Sequence, residues 1–267
     1  MGKLLRIQNL HKTFNKDTVN ENKLFNGLSL HVRKGDFVTV IGSNGAGKST
    51  LLNIISGTIP FDEGSIFLNG KDISNVPEYR ISKLVGRVFQ DPKMATSPSM
   101  TVLENMSMAW NKNKFFGLSW GIEKNKIKEI RNSLSKLSLG LENKLEVKVG
   151  LLSGGQRQAM ALLMAAISNP CLLLLDEHMA ALDPKTSEII AQLTDKIVTE
   201  SKITTLMVTH NLKQAITMGN RLIMMHRGRI VLDIEGEEKK SLTPERLMVL
   251  FSDKEKADML SDRLMFA

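Results

Sequence analysis

Nine residues constrain this chain more than any others: Gly42-Ser43-Asn44-Gly45-Ala46-Gly47-Lys48-Ser49-Thr50 fit the pattern G-x-x-x-x-G-K-[ST]. Their context gives the pattern its meaning. Phe37-Val38-Thr39-Val40-Ile41 is the β-branched and aromatic run of a strand buried on both faces, and Ser49–Ser56, closed by Gly57, reads as a helix. Between such a strand and helix, glycines let the backbone curl until several N–H groups face one anion. The helix adds its unpaired N–H groups and positive dipole end. Lys48 then supplies a point charge for β- and γ-phosphates, and the Ser49 hydroxyl can ligate Mg²⁺. A glycine-rich turn that binds nothing would not need the strand and helix on either side.

A phosphate loop of this kind works with a second carboxylate. Leu172-Leu173-Leu174-Leu175-Asp176-Glu177 is an apolar strand ending in two acids. Asp176 is placed to hold the metal and Glu177 to orient and deprotonate an attacking water. A third element, Leu152-Ser153-Gly154-Gly155-Gln156, opens the helix Gln156–Ser168 and forms a second anion site from free N–H groups and a hydroxyl. If both anion sites cannot reach one nucleotide within a subunit, two subunits must share it.

The rest of the chain alternates strands and helices, which argues for an α/β fold. Strands are expected at Leu4–Ile7, Leu28–Val32, Ser65–Leu68, Leu84–Phe89 and Thr204–Val208, with Asn69-Gly70 a turn. Arg221–His226 and Arg229–Asp233 flank Arg227-Gly228 as in a hairpin, Thr186–Glu200 is a helix, and the charged tail from Thr243 is helical. Residues 91–151 have a different texture. Pro92 and Pro98 break the chain, Thr101–Trp110 is helical, and Ile127, Ile130, Leu134 and Leu137 lie on one face of a helix over Glu123–Leu139. This region reads as a helical insert between two strands of the main sheet.

Composition excludes several classes. The 267 residues are 42% hydrophobic and 24% charged, ordinary globular usage, so disorder and collagen-like repeats are ruled out. The single cysteine, Cys171, excludes an internal disulfide framework or a cysteine zinc site and suggests a reducing compartment. It is expected to be buried at the start of the Leu172–Leu175 strand. The longest apolar runs, Ala159–Ile167 and Cys171–Leu175, fall far short of the ~18 residues of a membrane span. Neither a secretory leader nor a myristoylation motif is present at the N-terminus, where Arg6 stands in place of Ser or Thr. The formal charge is +8, and +5 of it lies in residues 111–148.

These motifs and their order resemble the ATP-binding subunits of ABC (ATP-binding cassette) transporters over nearly the whole chain. Beside the phosphate loop stand Gln90 in Val88-Phe89-Gln90-Asp91-Pro92 at the Q-loop and Leu152–Gln156 at the signature. Asp176 and Glu177 match the Walker B end, Ala181-Leu182-Asp183-Pro184 the D-loop, and His210 in Val208-Thr209-His210-Asn211 the switch histidine. The resemblance implies a P-loop NTPase (RecA-like) core, residues 1–90 plus 152–267, with an N-terminal antiparallel β subdomain and the helical subdomain 91–151 facing a membrane partner. It further implies a head-to-tail homodimer, or a paired cassette subunit. Each ATP and Mg²⁺ would then lie between Gly42–Thr50 of one subunit and Leu152, Ser153, Gly154, Gly155 and Gln156 of the other. Glu177, His210 and Gln90 would act on the γ-phosphate and water; Ser49, Gln90 and Asp176 would hold the metal; Asp183 would run along the dimer seam.

Where the family stacks adenine on an aromatic residue this chain has Phe14, with Phe25 as the rival. Many relatives follow the catalytic glutamate with proline; here it is His178. The Glu-His-x-Ala-Ala-Leu-Asp-Pro-Lys-Thr wording is similar to a branch paired with a substrate-binding protein and a permease, some of them linked to aromatic amino acids. The expected place is the cytoplasmic face of the membrane, peripherally bound, and the direction import. An ABC ATPase acting on nucleic acid or ribosomes is the competing reading, since basic charge favours such a partner. A second cassette or a long coiled-coil insert, which mark those relatives, is absent from the 267 residues. Lys112, Lys114, Lys124, Lys126 and Lys128 in the insert instead suit an anionic bilayer surface or an ordinary solvated face.

Overall fold

Why four leucines follow one another at 172–175 becomes clear in the computed structural model, which describes residues 2–112 and 124–252. Side chains alternate along a strand. Leu172 and Leu174 point into one hydrophobic core, Leu173 and Leu175 into another on the opposite face, and all four are fully buried. Each such leucine contributes roughly 2 kcal/mol of burial, enough to fix the strand between two layers.

In chain order the first elements are β1 (Lys3–Phe14), β2 (Asn22–Arg33), β3 (Phe37–Gly42), α1 (Lys48–Ile55), β4 (Glu63–Leu68), β5 (Lys71–Asp72), α2 (Glu78–Ile81) and β6 (Val85–Val88). Then come α3 (Val102–Trp110), α4 (Lys124–Ser135), α5 (Gly154–Ile167), β7 (Leu172–Asp176), α6 (Pro184–Ser201), β8 (Thr204–Val208), α7 (Leu212–Thr217), β9 (Arg221–His226), β10 (Arg229–Glu235) and α8 (Gly236–Lys240). A four-stranded antiparallel sheet has the order β2-β1-β4-β5, and a six-stranded sheet the order β10-β9-β3-β8-β7-β6. Strands β9, β3, β8, β7 and β6 run parallel, with β10 antiparallel at the edge. The fold is thus an α/β P-loop core with an antiparallel β layer beside it.

One core lies between the antiparallel sheet, α1 and one face of the main sheet. A second lies on the other face, under α3, α4, α5 and α6. Between β6 and β7 the chain supplies three α-helices, three short 3-10 turns and no strand of either sheet among the described residues. Ile130, Leu134 and Leu137 are buried as their spacing predicts, and Ile127 packs partly buried beside them. Arg221 on β9 ties the layers together: it donates to Asp233 on β10 at 2.5 and 2.7 Å and to the His31 carbonyl on β2 at 2.8 Å.

Several expectations are corrected. Strands β1 and β2 run to twelve residues, far beyond Leu4–Ile7 and Leu28–Val32. Their pairing shifts register near Asn9, which has φ +48°, and each shift resets the alternation that marks a strand. Cys171 is only half-buried and precedes β7; its Sγ donates to the Leu84 carbonyl at 3.2 Å. Lys112 is not a solvated charge, since its Nζ donates to the Val85 carbonyl at 3.3 Å and burial lowers its pKa. Lys126 pairs with Glu129 at 3.0 Å over the Trp110 ring. The tail is helical over 244–252, and the rest of it, like Lys114, lies outside the described residues. The Asn69-Gly70 and Arg227-Gly228 turns both have two successive positive φ values, the geometry of a type I′ hairpin.

Candidate functional site

Four neighbouring parallel strands, β3, β8, β7 and β6, end on the same edge of the main sheet. The phosphate loop, His210, Asp176-Glu177 and Gln90 lie at or just beyond those strand ends, so topology alone gathers elements far apart in sequence.

Two glycines open the path of the loop. Gly42 has φ +150°, and a Cβ there would sit 2.0 Å from the Met225 carbonyl oxygen; Gly47, at φ +97°, would press a Cβ to 2.6 Å from Phe25. Phe25 is therefore the floor beneath the loop, 1% exposed, and Ala46 is buried against the same core. Phe14, by contrast, lines a cavity of about 300 Å³ with Asn44, Gly45, Gly47, Lys48, Ser49, Thr50, Glu177 and His210. Its ring carries Lys12 Nζ 5.1 Å from the centroid.

Helix α1 has no side-chain cap and no acid in its first turn, so its N–H groups and dipole face the cavity unneutralised. Lys48 is buried and donates to the Gly42 and Ser43 carbonyls at 2.8 and 2.9 Å. Burial lowers its pKa, while Glu177 and Asp176 act in the opposite direction. Ser49 Oγ donates to Asp176 Oδ1 at 3.0 Å. A hydroxyl and a carboxylate this close are hard oxygen donors of the kind Mg²⁺ takes.

Glu177 has the left-handed φ of +45°, a strained backbone for a residue with a side chain, and its N–H donates to the Val208 carbonyl at 3.0 Å. Its Oε1 lies 2.7 Å from His210 Nε2. This pair has the proximity a general base and its orienting partner require. Gln90 is exposed at the chain's exit from β6.

The signature does not line this cavity. Ser153 caps α5, accepting from the Gln156 N–H at 3.2 Å, and Ser153 and Gly154 are exposed while Leu152 is buried. The Gln156 side chain is committed within its own subunit. Its Oε1 lies 3.3 Å from the Ser153 N–H and Lys144 Nζ, and its Nε2 donates to the Leu139 carbonyl. Asp183 caps α6, accepting from the Thr186 N–H at 3.0 Å, and hydrogen bonding from the Thr186 hydroxyl, then its N–H, lowers the carboxyl pKa.

His178 turns away from Glu177. It is buried, with Nε2 3.0 Å from Thr194 Oγ1. Thr194 donates its only hydroxyl proton to the Ile190 carbonyl at 2.7 Å, so Nε2 must be the donor and Nδ1 a bare acceptor. Sequence reasoning passed over Arg87. A cation in the otherwise apolar β6 signals a buried anion, and here that anion is Asp176, 3.3 Å away.

A family model described as ABC transporter matches residues 25–180, more than half of the chain. The chain belongs to the ABC transporter family. It is 50% identical over 248 residues to a tyrosine transport ATP-binding protein of Clostridioides difficile, covering 93% of this chain and 98% of the relative. A spermidine/putrescine import ATP-binding protein of Haemophilus influenzae is 33% identical over 230 residues, and the match takes in 86% of this chain and 57% of that protein.

Among solved structures, a dimeric ATP-binding cassette in a post-hydrolysis state with ADP and phosphate matches with TM-score 0.74 at 30% identity, covering 86% of this chain and 98% of the other. An ADP-bound cassette of an ABC transporter matches with TM-score 0.76 at 29% identity, covering 94% and 99%. This chain is accordingly a nucleotide-binding, ATP-hydrolysing subunit of an ABC transporter. The relatives are transport proteins, and nothing among them favours nucleic acid or ribosomes. No helix among the described residues is long and apolar enough to cross a membrane.

Proposed function

We propose that this ABC subunit powers a bacterial importer from the cytoplasmic face of the membrane and works as a head-to-tail homodimer. Each of its two sites would use one subunit's phosphate loop and the other's signature. The carrying observation is the convergence of Phe14, Lys48, Ser49, Glu177 and His210 on one cavity, while the exposed Ser153 and Gly154 lie outside it. A second copy supplies the missing anion site. In this reading Phe14 stacks the adenine, and the loop N–H groups and Lys48 hold the phosphates. Ser49, Asp176 and Gln90 hold Mg²⁺, which when bound neutralises phosphate charge. Glu177 accepts a proton from the attacking water, while His210 orients Glu177 and meets the γ-phosphate. Asp183 borders the dimer seam.

Residues 91–151 form the helical subdomain for the permease. A cleft of about 340 Å³ supports that assignment; its walls include Arg87, Phe89, Ala95, Met108 and Lys112. Met108 within it and Met94 nearby on the same segment are exposed at 58% and 70%, unusual for methionine without a partner. The 50% identity to the tyrosine transport protein supports an aromatic amino acid as cargo; a substrate-binding protein is the further partner of this reading.

The test is reconstitution in liposomes holding ATP with the permease that co-purifies with this subunit. ATP-dependent uptake of labelled tyrosine, supplied with a binding protein for it, is the expected result. Uptake without ATP or this subunit, or movement outward, overturns the importer reading.

A further inference from the structure

Helix α1 and its C-cap carry a polar stripe at Ser49, Asn53 and Ser56, spaced i, i+4, i+7, on the side that faces β6 and β7. Ser49 meets Asp176, as described. The other two meet Arg87: Nη2 donates to Asn53 Oδ1 at 2.6 Å and Nη1 to Ser56 Oγ at 3.1 Å. Arg87 pairs in register with Leu174, two residues before Asp176 and on the same face of β7, so its fork reaches Asp176 Oδ2 at 3.3 Å. The guanidinium also stacks on Phe89, 4.5 Å from the ring centroid. Side-chain exposure is 12% for Arg87 and 13% for Asp176, so water does not substitute for these contacts.

The two oxygens of Asp176 are thereby told apart. Oδ2 is held by Arg87, and Oδ1 points to the Ser49 hydroxyl. Arginine is suited to this because its planar fork serves several acceptors in fixed geometry, whereas a lysine would serve them as a single point. Asn53, Ser56 and Phe89 fix the fork from three sides, which keeps it from swinging round to take both carboxylate oxygens.

We propose that Arg87 is a positioning residue for Asp176, aiming Oδ1 at the divalent cation that accompanies the nucleotide. The proposal rests on the reading of Asp176 as a metal-binding residue. Removing a partner that orients a metal ligand weakens metal affinity, typically by about 10-fold or more. Arg87 touches neither phosphate loop backbone nor Phe14, so the nucleotide alone should bind as before.

The test measures Mn²⁺ affinity by electron paramagnetic resonance with a non-hydrolysable ATP analogue, alongside analogue binding in chelator. In Arg87→Met, Mn²⁺ affinity falls about 10-fold while metal-free analogue affinity stays within about twofold of wild type, which also reports an intact fold. Adding Arg87→Met to Asp176→Ala weakens Mn²⁺ no further. Should Arg87→Met not fold, Arg87→Lys keeps the charge and shows a loss of about threefold or more. Unchanged or tighter Mn²⁺ binding in the folded variant, with Asp176→Ala weakened, overturns the role of Arg87 alone. Unchanged binding in Asp176→Ala overturns the metal reading beneath it.

Discussion

His178 stands next to Glu177, yet its ring belongs to the interior. Burial without a charge partner holds its pKa at about 4, against an ordinary value of 6.5. Once unfolded, the imidazole titrates normally, so between those two values the unfolded chain binds more protons than the folded one. The contribution to stability is therefore full above about pH 6.5 and is lost as pH falls towards 4, by about 3 kcal/mol in total. His178→Gln removes the titration and keeps a donor for Thr194. Urea unfolding at pH 7.5 and pH 5 should show wild type losing roughly 2 kcal/mol more than the variant on acidification; parallel losses would contradict the burial. The sequence shows His178 beside Glu177 but not which way it points. Glu177 at positive φ directs the following chain, and no residue pattern announces that turn.

At the scale of elements, legibility followed burial. Strand β8 and strand β9 match their expected limits to the residue, since both are apolar runs with buried faces on either side. Strands β1 and β2 were half missed because register shifts reset their alternation. The phosphate loop was legible because its glycines and lysine act locally. Arg87 was not, because its meaning depends on a carboxylate 89 residues away. The sequence starts α5 at Gln156 with Ser153 in an anion site; the structure starts it at Gly154 with Ser153 as the cap, whose own N–H donates in return to Gln156 Oε1. Ser153→Ala should cost about 1 kcal/mol of stability, read by thermal melting. If Ser153 also meets the second subunit's nucleotide, the variant weakens the ATP-dependent dimer in sedimentation. A dimer as strong as wild type's would confine Ser153 to its capping role.

For the whole molecule, the six-stranded sheet is the device that turns a linear set of motifs into a site. Parallel strands deliver Lys48, Asp176, Glu177 and His210 to one edge, while the signature helix leaves Ser153 outside the cavity. On the proposed head-to-tail reading, a chain so arranged would hold half of each of two sites. The +5 of charge in residues 111–148 is partly committed within the chain: Lys112 bonds the Val85 carbonyl beside the β6 cleft, and Lys126 pairs with Glu129 at the surface. The central claim is that Glu177, held 2.7 Å from His210, takes the proton from water. Phosphate release by Glu177→Gln at saturating ATP and Mg²⁺ tests it most directly. The account predicts a rate about 100-fold or more below wild type; release within a few-fold of wild type would contradict it.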